Sequence, residues 1–329
     1  MEAKAKEEAV QALKGDTFAE TAALFLAVRG KQWGATHAVR SGRLVKNDLN
    51  PWLGHRPMRE ITTPELKDVI RKIEQRGAYS LVDKALTLCG VLWDFARVEG
   101  KADTNIARGM RSNFIKPTTK HFPAITDPDQ FAQLLKSIDA YHGGAIAKAA
   151  LRLAPLVFQR PGELRGMAWS ELDLEAAMWT IPAARMKRKK DGKENGEPHL
   201  VPLSRQAVAI LESMQAVTGG GALVFRSERD HAKPMSENTL RVALMSMGYP
   251  PEVQTVHGFR ASARTMLAEV LNIDPLVVEQ QLAHAVKDSL GRAYNRATYM
   301  KHRIAMMQQW ADYLDGLKSE KVIQLRRKA

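Results

Sequence analysis

The sequence predicts a mainly α-helical protein with one small antiparallel sheet, divided over two domains. Three observations carry this. Apolar residues recur at three- and four-residue intervals through most of the chain, the period of a helix with one buried face. Only Met178–Pro182 and Leu200–Leu203 form short apolar runs of the kind strands need, with Ala222–Phe225 a third candidate. Finally, 329 residues exceed one ordinary domain, and residues 114–124, with two prolines and no periodicity, divide them as an interdomain linker.

Residues 1–15 are charged and alanine-rich, with no apolar face; they predict a solvated helical lead-in or a linker. From Thr17 the helical pattern begins, with Phe18, Ala22, Leu24 and Phe25 on one face. A second helix is expected over Thr36–Asn50, stopping before Pro51. Thr62-Thr63-Pro64-Glu65 is a helix start, with a threonine cap, a proline in the first turn and an early acid; that helix ends at Gly77. Another spans Ser80–Val98 and ends at Gly100. Residues 16–113 thus predict a small all-α domain.

The second domain, residues 125–317, starts with a capped helix at Thr126-Asp-Pro-Asp. Ala145–Phe158 is strongly apolar and belongs at the centre of a core. An Arg-Pro-Gly break follows, then a short helix through Trp169. The two strands come next, joined by a long basic excursion. Helices are expected near 205–217, 236–247, 259–271, 275–283 and 301–317, and residues 318–329 form a basic tail. In the last helix Ile304, Met307, Trp310 or Ala311, Leu314 and Leu317 share a face. That face either packs on its own domain or docks on a neighbouring protomer.

Lysine and arginine number 49 against 36 acids, a formal charge of +13. Such a bias points to a polyanion, nucleic acid first. No apolar run reaches the roughly 18–20 residues of a membrane span, and no basic amphipathic anchor or signal peptide is present. The single cysteine, Cys89, lies in an apolar stretch and reads as a core thiol, which suits a reducing cytoplasm. Gly219-Gly-Gly221 lacks the Lys-Ser/Thr of a phosphate loop. No zinc-type spacing and no carboxylate cluster suggests a metal, so no cofactor is expected.

A scattered set of basic residues in the C-terminal half carries the chemistry. Arg160 opens Arg-Pro-Gly-Glu163, either an ordinary capping turn or an arginine fork fixed at a helix end for two phosphate oxygens. Glu163, three residues on, suits a partner that orients an arginine or histidine. His257-Gly-Phe-Arg260 opens a helix, and a three-residue separation puts both side chains on one face near a helix N-terminus. Lys187 sits in the charge run Lys187-Arg-Lys-Lys-Asp, with Arg188, Lys189 and Lys190 as rivals for any single role. His284 ends a helix. Tyr294 follows ten residues later, either a hydrogen-bonded core hydroxyl or a nucleophile, and Tyr299 is the natural control.

The set Arg160, Lys187, His257, Arg260, His284 and Tyr294 resembles the active site of tyrosine recombinases, the phage integrase family. It is most similar to the integrases of P4-like prophages and genomic islands. Ala184-Arg-Met-Lys187, His199-Leu-Val-Pro-Leu-Ser204, Pro234-Met-Ser-Glu-Asn-Thr-Leu240 and Met307-Gln-Gln-Trp-Ala-Asp-Tyr-Leu314 extend the resemblance over most of Thr17–Leu317. The resemblance implies a helical core-binding domain plus the α+β catalytic domain of DNA breaking-rejoining enzymes, the two closing as a clamp on duplex DNA. Tyr294 would be the nucleophile, Arg160 and Arg260 the phosphate clamps, Lys187 the general acid, His257 and His284 phosphate-contact or proton-transfer residues, and Glu163 a support. Arg40, Arg43, Lys46, Arg185, Arg188, Lys189 and Lys190 are the further DNA contacts expected. Implied partners are attachment-site core DNA, three further copies in a tetramer, an excisionase and a host DNA-bending protein, all in the bacterial cytoplasm. P4-like integrases also carry an N-terminal domain for arm-type sites. This chain opens almost at the core-binding helices, as a piece of a longer gene product or a shorter natural form would. A topoisomerase-like relaxing enzyme and a catalytically idle DNA-binding fragment are the alternatives.

Overall fold

The computed structural model describes residues 16–117, 122–188, 190–284 and 299–319. The chain divides into two compact units, Met1–Lys120 and His121–Ala329, each with its own buried core. The lead-in 1–15 and the tail from residue 320 lie outside the described residues.

In the first unit, α1 (Phe18–Gly30) starts at a capping box: the Thr17 hydroxyl accepts from the Glu20 amide, and the Glu20 carboxylate returns to the Thr17 amide. The expected second helix does not stop before Pro51. Instead α2 (Ala35–Leu44) runs into one π-helical turn, Val45–Leu49, and on into α3 (Asn50–Leu53). The wide turn, closed by the Asn50 amide on the Val45 carbonyl, lets Pro51 fall in the first turn of α3, where no amide proton is needed. α4 (Thr63–Gln75) begins at Thr62 with the same reciprocal box to Glu65. α5 (Tyr79–Val98) ends where Gly100 turns left-handed at φ +70°, so that the Lys101 amide reaches back to the Ala96 carbonyl at 2.8 Å. Phe18, Phe25, Leu49, Leu66 and Trp93 fill this unit's core.

The stretch expected as a linker is held at both ends by its own unit. Phe114 is buried under the Arg71 guanidinium, and the Ile115 amide donates to Glu74 at 2.8 Å. Past the undescribed residues 118–121, the Pro123 carbonyl accepts from the Thr255 amide at 3.2 Å.

The second unit starts with α6 (Pro128–Asp139), capped by Asp127, and α7 (Ala145–Val157), which is buried over most of its length. The chain leaves α7 through Phe158, left-handed at φ 37°, and enters the short α8 (Pro161–Arg165). The sheet is β1–β2–β3, all antiparallel: Leu172–Asp173, Met178–Ile181 and His199–Pro202. The third strand is therefore not Ala222–Phe225. That segment forms only an isolated bridge between Leu223 and Ala168, with Val224 and Phe225 buried beside it. Between β2 and β3 the basic excursion folds in part into α9 (Lys190–Glu194). α10 (Arg205–Thr218), α11 (Thr239–Ser246), α12 (Gly258–Glu269) and α13 (Pro275–Gln281) follow.

The last helix, α14 (Met300–Ser319), settles where its apolar face goes. Met306, Met307, Trp310, Ala311, Leu314 and Leu317 are buried in their own unit. Trp310 lies among Phe131 of α6 and Phe158, and its indole donates to the Pro155 carbonyl at 2.9 Å. The face is thus core, not a free surface for a neighbouring protomer. Ile304, expected on it, is half exposed, and Met306 takes the inward position.

Candidate active site

Arg160 occupies the N-cap of α8, with Pro161 in the first turn. Its guanidinium donates to Glu163 at 2.9 Å and its backbone amide to the other carboxylate oxygen at 3.0 Å. Glu163 is buried, so one acid fixes both the backbone and the side chain of the arginine.

Arg260 stands one turn into α12, behind His257 at its N-cap. It is buried, and three of its five N–H donors are engaged: Nη1 to the Phe158 carbonyl at 3.1 Å, Nη2 to the Leu282 carbonyl at 2.7 Å and to His284 Nε2 at 2.9 Å. Two of these acceptors lie beside the left-handed Phe158 and Ala283, conformations that cost non-glycine residues energy. Burial, with Arg160 nearby, lowers the Arg260 pKa to about 10, which leaves it charged at neutral pH. α12 can start here because Gly258 has no side chain: a Cβ would sit 2.4 Å from the Pro123 carbonyl oxygen.

His257 feels the whole cluster. Burial, then the charges of Arg260, Arg160, Lys187 and His284, hold its pKa down to about 4, so the imidazole is neutral at pH 7. Its ring lies against the exposed Phe122 ring, centroids 4.4 Å apart. His284 follows α13, its Nδ1 on Glu279 at 2.6 Å. Lys187 is exposed, just past buried Met186, and shares with His284 and Arg303 the walls of one open cleft. The structure therefore brings Arg160, Lys187, His257, Arg260 and His284 together, with Glu163 behind them. Tyr294 lies outside the described residues. Tyr299 packs on the core at the start of α14.

The remaining expected DNA contacts divide. Arg40, Arg43 and Lys46 are exposed on α2 and the π-helical turn. Arg185 is not available in the same way: its guanidinium is taken up by Glu171 and by the Glu163 carbonyl. It is a brace behind the site because both acceptors are largely buried and need a donor. Arg188 donates to the Glu197 carbonyl at 2.6 Å and so closes its own loop. Lys189 is outside the described residues, and Lys190 starts α9.

Several residues with a part in the site are absent from the sequence expectations. Glu279 ties His284 to Arg264, whose Nε lies 2.6 Å from the carboxylate. Behind them, Arg303 is buried and grips the Gln281 side-chain carbonyl at 2.7 and 2.9 Å, together with the Leu200 carbonyl. His199, which entered the sequence reading only through its motif, bonds the Gln281 backbone carbonyl at 3.1 Å; burial, then Arg303, lowers its pKa to about 3. Spacing gave a partial signal for Arg264 alone, one helical turn beyond Arg260.

Two family models match the chain: the phage integrase central domain over residues 18–113 and the phage integrase family over residues 125–301. The chain belongs to the phage integrase family, the tyrosine recombinases. Putative protein IntB of Escherichia coli is 34% identical over 95% of this chain and 80% of its own length. The integrase of enterobacteria phage P4 is 32% identical over 87% of this chain and 66% of its own length, so the chain spans about two thirds of that relative. Among solved structures, a lambda integrase dimer bound to a COC' core site matches with a TM-score of 0.63 at 17% identity, over 86% of this chain and 77% of that one. The Tn1549 transposon integrase in complex with transposon right end DNA matches with a TM-score of 0.64 at 14% identity, over 90% and 99%. At these identities the likeness establishes the shared fold.

Proposed function

We propose that this family member breaks and rejoins duplex DNA through a covalent link to Tyr294. The Tyr294 hydroxyl attacks the scissile phosphate, a 3′-phosphotyrosyl bond forms, and the bond to the 5′ oxygen breaks. That oxygen leaves as a hydroxyl with a proton from Lys187. Arg160 and Arg260 hold the non-bridging oxygens as negative charge builds, His257 stands beside them, and His284 steadies the Arg260 fork. In strand exchange the 5′-hydroxyl of a partner duplex attacks the link and returns Tyr294 free. Bond energy is conserved, so the cycle needs neither ATP nor a metal. The outcome is site-specific recombination that integrates or excises a mobile element.

One observation carries this proposal. Arg160, His257, Arg260 and His284, scattered over more than a hundred positions of sequence, converge, and the arginines are fixed by hydrogen bonds before any substrate arrives. Such preorganised cations suit a phosphodiester and no uncharged substrate. The likeness to a lambda integrase tetramer bound to a Holliday junction (TM-score 0.63, 16% identity) supports assembly of four copies on two DNA sites. An excisionase, a host DNA-bending protein and action in the bacterial cytoplasm are extensions of the same proposal.

The test is covalent trapping on a duplex carrying the element's attachment core, nicked beside the cleavage position. The wild-type chain is expected to form an adduct, Tyr294→Phe to bind DNA but form none, and Tyr299→Phe to form it normally. Peptide mapping of the link to Tyr299 would overturn the assignment.

A further inference from the structure

Four side chains form a closed ring next to the phosphate-binding cluster. Arg260 and Arg264 stand one turn apart on α12. Arg264 Nε donates to Glu279 Oε1 at 2.6 Å, Glu279 Oε2 meets His284 Nδ1 at 2.6 Å, and His284 Nε2 meets Arg260 Nη2 at 2.9 Å. The proton positions follow from chemistry. Arginine has donors only, so His284 Nε2 must accept from Arg260. The imidazole proton is then on Nδ1, where the Glu279 carboxylate accepts it. One tautomer alone satisfies both contacts.

The brace matters because His284 is otherwise loose. Its side chain is 41% exposed and it follows α13 on a left-handed Ala283 rather than within a helix. Glu279 is only 20% exposed and is held from its other oxygen by Arg264, so it offers a fixed acceptor. We propose that Glu279, held by Arg264, is a positioning residue that fixes the ring orientation and tautomer of His284 and through it the fork of Arg260. This rests on the recombination chemistry proposed above, since only there do His284 and Arg260 face a phosphate. Glu279 touches no reacting atom.

Two measurements on the full chain test it. In the DNA-free protein, nitrogen shifts of isotope-labelled histidine report which ring nitrogen carries the proton, with His284→Asn identifying the resonance. Nδ1 is expected to be protonated in the wild type, and a tautomer mixture is expected in Glu279→Ala. On the nicked attachment-core duplex, Glu279→Ala should slow single-turnover adduct formation about ten-fold or more, the cost of one charge-assisted hydrogen bond. DNA affinity should be unchanged in that variant. A wild-type His284 protonated on Nε2, a Glu279→Ala chain that keeps the wild-type tautomer, or one that cleaves at the wild-type rate would each overturn it. A wild-type chain that forms no adduct would instead count against the recombination chemistry, while the nitrogen shifts still decide the role of Glu279.

Discussion

Arg260 shows how much one side chain is asked to do. It gives hydrogen bonds to two backbone carbonyls and to His284 while its charge stays in the cluster. Lysine keeps the charge but is a point donor without the fork. Arg260→Lys is therefore expected to lose cleavage nearly as fully as Arg160→Ala or Arg260→Ala, each by roughly 2.7–4 kcal/mol of barrier, the cost of one preorganised donor. The wild-type rate is expected to be the same in EDTA; a divalent-metal requirement for cleavage itself would sink the mechanism. His199 makes a separate prediction about stability. It is neutral when folded, with a pKa of about 3 against 6.5 ordinarily. The unfolded chain takes up the proton first, so this histidine costs the fold nothing above pH 6.5 and destabilises it increasingly as pH falls toward 3. The full effect is on the order of 5 kcal/mol. His199→Gln keeps a donor for Gln281 but cannot take up a proton. Denaturant melts of the two proteins should diverge as pH falls from neutral, the wild type losing more; parallel curves would show that His199 is not buried and neutral.

At the scale of elements, α14 makes the sharpest contrast between neighbours. Trp310→Ala removes a fully buried indole and its bond to the Pro155 carbonyl, and is expected to cost about 3–5 kcal/mol in a denaturant melt. Ile304→Asn, on the half-exposed side of the same helix, should stay within about 0.5 kcal/mol. The apolar spacing placed both on one face and could not separate them, because at that end the buried arc is filled by Arg303, Met306 and Met307 and leaves Ile304 at its edge. Other elements divide the same way. The start of α4 was legible because its cap, Thr62 with Glu65 and Pro64, is local chemistry. The strand β1 was not: two residues long, it exists because Ala177 turns left-handed and returns Met178 and Trp179 beside it. Ala222–Phe225 is apolar enough for a strand, yet its backbone finds only bridge partners while its side chains fill the core. Within the site, Arg160, His257, Arg260 and His284 were legible because their short motifs, in this order along the chain, resemble the phage integrase pattern. Glu279, Arg264 and the Arg303–Gln281 contact were not, since each joins elements whose closeness no local pattern encodes.

For the whole molecule, the two separate cores decide what a deletion does. The core of the first unit is built from Phe18, Phe25, Leu49, Leu66 and Trp93, and that of the second from Phe131, Phe158, Trp179, Phe259 and Trp310 among others. Units with their own cores are expected to melt as separate cooperative blocks. Ending the chain after Thr298 removes α14, and with it Met306, Met307, Trp310, Ala311, Leu314 and Leu317 from the second core only. It also removes Arg303, which leaves the Gln281 side-chain carbonyl and the Leu200 carbonyl without their donor. Each lost large apolar side chain costs a few kcal/mol, and together they exceed the roughly 5–15 kcal/mol that holds an ordinary domain folded. Calorimetry of the shortened chain should therefore show the melt of the helical unit near its original temperature and no cooperative transition for the second unit. A fragment of residues 16–117 alone should reproduce the surviving transition. Were α14 a surface element serving only a neighbouring protomer, the shortened chain would instead keep both transitions and still form the adduct on a nicked core site, failing only when two duplexes must be paired. Two intact transitions in the calorimeter would refute the assignment of α14 to its own core.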